Sequence, residues 1–342
     1  MRRIIMLVAV SFAAGPLAAS WGGFREADTT ASASGPAVVS AQAPSPALLV
    51  LLRTERALAI VDPTTRKVVG RAPTGDDPHG VAASPDGKLA FTANYGGNSI
   101  SVIDLATRKE IRRVELPAGR PHDMVFAGGK VYFTAEGYKA IGRLDPATLA
   151  VDLWMGTGQD STHMIVANRD ATKIFTANRA SNTVSVIESS GTGPAWSVTT
   201  IPVGRSAEGI DLAPNGREIW TANRDGGGVS IIDAVAKKVI QTLDVKTTNG
   251  NRVRVTPDGR YVLVADESGN TLLILDAASR KEIKRLKLLP DVILITPDGS
   301  RAYTTISPEN HVVEIDLKTL EVSGRIDTGT SPDAMAWIEG RP

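Results

Sequence analysis

The stretch Ser84-Pro85-Asp86-Gly87, followed by Phe91-Thr92-Ala93-Asn94 and then Ser101-Val102-Ile103-Asp104, decides the fold of this 342-residue chain because it repeats. Its turn recurs as Pro214-Asn215-Gly216, Pro257-Asp258-Gly259 and Pro297-Asp298-Gly299, at spacings of 43 and 40 residues, and Pro85 lies three 43-residue periods before Pro214. A fixed period of about forty residues marks a tandem array of one supersecondary unit. Within a unit, Lys88-Leu89-Ala90-Phe91-Thr92 and Ser99-Ile100-Ser101-Val102-Ile103 alternate with period two, and Gly, Asn, Asp and Pro punctuate the chain every eight to twelve residues. Each unit is expected to be a four-stranded antiparallel meander. In the second unit strand A is placed at 79–83, B at 88–93, C at 99–104 and D at 110–116. Proline presets φ in the A–B turn and glycine accepts the positive φ that follows.

Strand A starts near His79, His122, His163, Glu208, Asn251 and Asp291, which gives six complete units. Residues 48–69 supply strands B, C and D with no strand A before them, while 333–338 read as a strand A with nothing after it. The chain is therefore predicted to be all-β, a seven-bladed β-propeller over residues 47–342, closed by its C-terminal strand. Closure removes the open sheet edges that an unclosed array would expose.

Phe91-Thr92-Ala93-Asn94, Phe175-Thr176-Ala177-Asn178 and Trp220-Thr221-Ala222-Asn223 each follow a turn of this kind and precede a Val-Ile-Asp-like strand. In this the chain resembles the YVTN-type β-propeller repeat family over about residues 47–338. The resemblance implies an exported bacterial propeller, of a family mostly without defined activity. It also implies kinship of fold with the propeller domains of the periplasmic cytochrome cd1 and nitrous oxide reductase groups. Those enzymes carry haem or copper, and this chain has no cysteine and no attached metal domain.

Composition narrows the setting. At 42% hydrophobic and 22% charged, the body has ample material for a core. The net charge of +1 falls to about −1 without Arg2 and Arg3, so nothing overall attracts a phosphate backbone, and nucleic acid is not an expected partner. Residues 1–20 read as a secretory signal: Arg2-Arg3, the apolar run Ile4 to Ala14, then Ala18-Ala19-Ser20. The apolar run is too short to cross a bilayer. Residues 21–46, rich in Ala, Ser, Thr, Gly and Pro, read as a disordered tether. A periplasmic or secreted monomer with no membrane span is expected, free of disulfides and thiolate metal sites because cysteine is absent.

Function is sought where the repeat is broken. Asp62, Asp104, Asp145, Asp233, Asp276 and Asp316 close strand C in six blades, with Glu188 in the seventh, and are read as turn acceptors for backbone N–H groups. Asn94, Asn178 and Asn223 are read as structural on the same reasoning. The D–A and B–C connections of a propeller share one face around the channel mouth, the default binding site. There the repeat places His79, His122, His163 and Glu208 on an inner ring, with Arg120 and Arg205 preceding it and Tyr95, Tyr138, Arg179 and Arg224 on an outer rim. These ten residues form the candidate ligand site.

The favoured function is a non-catalytic propeller that binds a protein partner, small ligand or ion on this face. The alternative is a metal-assisted lyase or lactone hydrolase using the channel histidines. Pro78-His79-Gly80-Val81 is similar to the entry motif of streptogramin-lyase-type propellers, and that resemblance implies a histidine base beside a divalent ion. A divalent metal on His79, His122 and His163 is the cofactor considered. With inner strands roughly 10 Å apart, neighbouring imidazoles can share an ion, and three are at the limit of their reach. The simpler expectation is that these histidines are strand entries bonding nearby backbone. Met124 and Met164 would suit copper, although alternation places at least Met124 in the core. A third reading is peptide or single-stranded nucleic-acid binding through Tyr95, Tyr138, Arg179 and Arg224.

Overall fold

The structure is a computed structural model that describes residues 46–190 and 195–339. The secretory signal expected at 1–20 and the tether expected at 21–46, apart from Pro46, lie outside the described residues. The described chain forms seven antiparallel sheets of four strands. Six are consecutive meanders. The seventh, here blade 1, joins Pro332–Ile338 to Ala47–Leu52, Ala57–Asp62 and Lys67–Pro73, with Ala47 opposite Ile338 and Leu48 opposite Trp337. The ring therefore closes through the C-terminal strand.

In blade 2 the strands are Pro78–Ala83, Leu89–Asn94, Ser99–Asp104 and Lys109–Glu115, within two residues of the sequence reading. Strand A of blade 7 is the exception: only Ile293–Ile295 pair, after Asp291 has bonded through its backbone to Thr305. The Pro-Asp-Gly turns take the expected form, with Gly87, Gly259 and Gly299 at φ 67°, 71° and 69°.

The core is a ring of seven apolar clusters, one between each pair of adjacent blades. Trp220 of blade 5 shares one cluster with Val253 and Val262 of blade 6, and Phe91 of blade 2 another with Met124 and Phe133 of blade 3. Each central strand is thus covered on both faces, and only strand D shows alternating exposure. The Thr and Ser that alternate with large apolar residues in strands B and C are buried side chains, not a solvent face. Thr92, Ser101 and Asn94 bond one another there.

Inner strands approach closely at two glycines. A Cβ on Gly80 would lie 2.5 Å from the carbonyl oxygen of His122, and one on Gly209 would lie 2.7 Å from the Cα of Arg252. No larger residue fits at either place without moving a neighbouring blade.

Candidate functional site

Six of the seven inner strands carry a β-bulge near their start, and the bulge presents the site. In blade 2, Pro78 pairs with Asn94 and Gly80 with Ala93, leaving His79 without a partner in the ladder. His163 and Asn251 are skipped in the same way, and His122-Asp123 and Glu208-Gly209 are skipped as pairs. An unpaired bulge residue is turned out of the sheet, here toward the channel axis.

A second device stands two residues earlier. Asp77, Arg120, Ser161, Ser206 and Ser331 adopt left-handed φ between 47° and 56°, an uncommon conformation for non-glycine residues. The carbonyl of each accepts the backbone N–H of the residue that opens the B–C turn of its own blade: Tyr95, Glu136, Arg179, Arg224 and Arg53 respectively. Two concentric rings result, with outer side chains held over the inner ones.

The three predicted histidines lie together. Ring centroids are 4.8 Å apart for His79 and His122 and 3.7 Å for His122 and His163, each pair tilted by 30°. The expected inner-strand spacing was too wide, because Gly80 lets the strands close up. The expectation that these histidines bond backbone also fails. His163 Nδ1 lies 2.6 Å from Glu136 Oε1 and its Nε2 lies 3.6 Å from Glu208 Oε1, while His79 Nδ1 lies 3.1 Å from Asp333 Oδ2. His122, only 6% exposed, has no hydrogen-bond partner on Nδ1. Burial first, then the charges of His163, His79 and Arg252, push its pKa well below the usual histidine value, so this ring is neutral.

Glu208 is buried and receives Arg224 Nη1 at 2.9 Å and Arg252 Nη1 at 3.0 Å, with Arg179 Nη1 at 3.9 Å. Burial alone would raise this carboxyl. The hydrogen bond from His163 and the charges of Arg252 and Arg224 outweigh it and hold the group ionised. Arg252 is likewise opposed by burial and kept charged by Asp291, Glu208 and Asp333. Asp291, bonded by Asn251 Nδ2 at 3.0 Å, is pushed up to about 6 by burial and by the neighbouring charge of Asp333.

The other predicted residues divide. Tyr95 sits edge-on to His79 and His122 and donates to Glu136 Oε2 at 3.0 Å, with the Arg120 guanidinium over its ring. Arg179 and Arg224 reach Glu208. Tyr138 does not reach the cluster, because it packs on Trp154 and bonds the carbonyl of Pro117. Arg205 is exposed and bonds the carbonyl of Asp225.

The residues that sequence reasoning missed are Arg53, Arg252 and Arg254, with Asp123 and Asp211. Asp123, Asp211, Arg252 and Arg254 line a channel cavity of about 320 Å³ below the ring together with His79 and His122. Asp123 accepts the N–H of Ile165 in the next blade and Asp211 that of Val255, which ties adjacent blades together at their inner strands. The available signal was a charge inside an otherwise apolar inner strand. Among the described residues, no group of three or more histidines and carboxylates is arranged to hold a metal ion. The imidazoles stack instead of converging, and Met124 and Met164 belong to apolar clusters between blades.

Seven four-stranded sheets closed by the C-terminal strand make this chain a seven-bladed β-propeller with a polar, blade-specific channel mouth. This chain belongs to the YNCE-like beta-propeller family, whose model matches residues 6–341. No functionally curated protein matches the sequence. Among solved structures, it is similar to the periplasmic gluconolactonase of Pseudomonas aeruginosa, with 17% identity, TM-score 0.70, and 87% of this chain and 100% of that one covered. It is also similar to hydrazine synthase of Kuenenia stuttgartiensis, at 18% identity and TM-score 0.69 over 77% of this chain and 90% of that one. A functionally unknown protein of Desulfotomaculum acetoxidans matches with 12% identity and TM-score 0.74 over 87% and 100%. At these identities the likeness establishes the fold alone.

Proposed function

We propose that this protein binds a small solute at its channel mouth and does not transform it. The observation that carries this reading is His122, a neutral imidazole stacked between two others at the top of the channel, with its Nδ1 unpartnered. A buried polar atom without a partner asks for a ligand or ordered water. The surrounding carboxylates support binding over acid-base chemistry, since Glu136, Glu208 and Asp333 are each engaged by a basic side chain. The test is a thermal-shift screen of small polar solutes on the wild type and on His122→Ala. Solutes that stabilise the wild type and not the variant support the reading. A screen in which no solute moves the wild type overturns it. Elemental analysis of the purified protein decides the divalent metal.

The second reading is lactone hydrolysis. It is favoured by two groups at one channel mouth whose environments move their pKa values in opposite directions, His122 down and Asp291 up to about 6. At mildly acidic pH that leaves an unprotonated imidazole and a carboxyl still holding its proton at the same mouth. Turnover of a lactone panel that is lost in both His122→Ala and Asp291→Asn would replace binding with catalysis.

Export is proposed on Arg2-Arg3, the apolar run that follows and the small residues at 18–20. N-terminal sequencing of the protein from its native host checks it, and a mature chain that begins at Met1 refutes it.

A further inference from the structure

The solute proposed above leaves its chemical class open, and the atoms without partners at the mouth narrow it. Among the described residues ten buried side-chain nitrogens and oxygens have no hydrogen-bond partner, and three of them belong to this cluster: His122 Nδ1, Asn251 Oδ1 and Arg252 Nε. Their residues are 6%, 2% and 8% exposed, so bulk water does not answer them. Asn251 and Arg252 are consecutive on one inner strand, and Arg252 is linked through Glu208 and His163 to the histidine stack.

The charges beside these atoms are already committed. Arg252 and Arg224 are on Glu208, Arg53 is on Asp77, His79 is on Asp333, and Asp291 accepts from Asn251 and Ser307. An ionic ligand would have to compete with one of these pairs and carry its own desolvation. The unanswered atoms ask for something else: an acceptor for the Arg252 N–H, a donor for the Asn251 carbonyl, and either for the neutral imidazole. A carboxylate serves the first and not the second, and an ammonium serves the second and not the first. A hydroxyl serves both. His122 and Arg252 line the channel cavity of about 320 Å³ below the mouth, while Asn251 lies outside that lining, next to Arg252 on its strand; the cavity is at the small end of ligand pockets, which run roughly 300–1,000 Å³.

We infer that the channel mouth takes a small, neutral, multiply hydroxylated molecule, held by hydrogen bonds to Arg252, Asn251 and His122. This assignment rests on the solute-binding reading. The test is calorimetric titration of the full chain with three probes of similar size: myo-inositol as the neutral polyol, gluconate as the anion and glucosamine as the cation. The expected result is binding of myo-inositol alone, weakened tenfold or more in Asn251→Ala and in His122→Ala. Circular dichroism melting of both variants separates lost contacts from lost folding, and Asn251→Gln, which keeps the amide, is expected to recover part of the affinity. Binding of gluconate or glucosamine in preference to myo-inositol overturns the polyol assignment and leaves solute binding standing. The assignment also falls if no probe binds while the wider thermal-shift screen finds a solute that depends on His122. If that screen is silent as well, both readings fall.

Discussion

The two ends of each blade carry polar residues under opposite rules. At the C–D turns, Asp62, Asp104, Asp145, Asp233, Asp276 and Asp316 each accept a backbone N–H two or three residues ahead, at 2.7–2.9 Å. The seventh position, Glu188, departs from this. It pairs with Lys173 and with Lys237 of the next blade. At the other end, the inner ring runs His79, His122, His163, Glu208, Asn251, Asp291 and Asp333, and most of its partners come from another ring position or another blade. A residue that solves a local turn problem is the same wherever the turn is the same. A residue that faces the channel answers whatever stands opposite, and that differs blade by blade.

The comparison presupposes a closed ring, so the largest effect is expected from opening it. Deleting residues 331–342 removes the strand paired with Ala47–Leu52 and strips cover from Leu48 and Val50. The melting temperature is expected to fall by about 10 °C or more, and an unchanged melt would sink the closure. Next is Gly80→Val, which inserts a branched side chain where a Cβ already meets the His122 carbonyl at 2.5 Å. Overpacking of this kind costs about 1–3 kcal/mol. Solute binding is expected to be lost with it as His79 and His122 separate, and denaturant melts and titration read the two effects separately.

Asp291→Asn tests the mouth from the opposite direction, because it should stabilise. The folded chain holds a proton on Asp291 up to about pH 6, whereas the unfolded chain releases it near 4, so this carboxyl lowers stability as pH rises across that window. The amide removes that burden, by roughly 1–3 kcal/mol at pH 7.5 and far less at pH 4. Equal effects at both values would show that Asp291 ionises normally. The smallest change is Asp104→Ala, which deprives the Thr107 N–H of its acceptor. It is expected to cost about 1 kcal/mol and to leave solute binding untouched. Lost binding with unchanged stability would move this position from the turn class to the site class.

Much of the site was legible, for a reason that belongs to repeats. Aligning the units placed three histidines and Glu208 at equivalent positions, and equivalent positions in a closed ring face one another. Tyr138 and Arg205 stand on the expected connections but do not join the cluster, because the alignment fixes where a Cα falls and not where a long side chain goes. Tyr138 found Trp154 and the Pro117 carbonyl, and Arg205 found the Asp225 carbonyl. Arg252 escaped notice because it follows the ring position, on the paired part of the inner strand, where the repeat leads one to expect core residues.

The sequence by itself determined the architecture: the period, the turn residues and the unmatched strand at each end, all of which act over a few residues or by simple counting. It also determined which blades break the pattern. Only the tertiary structure decided that the imidazoles stack, that Glu208 is shared among arginines of three blades, and that His122 Nδ1 is left without a hydrogen-bond partner. Those facts depend on how far apart neighbouring inner strands stand, and that distance is set by two glycines, a row of bulges and seven interlocking cores acting together around the ring.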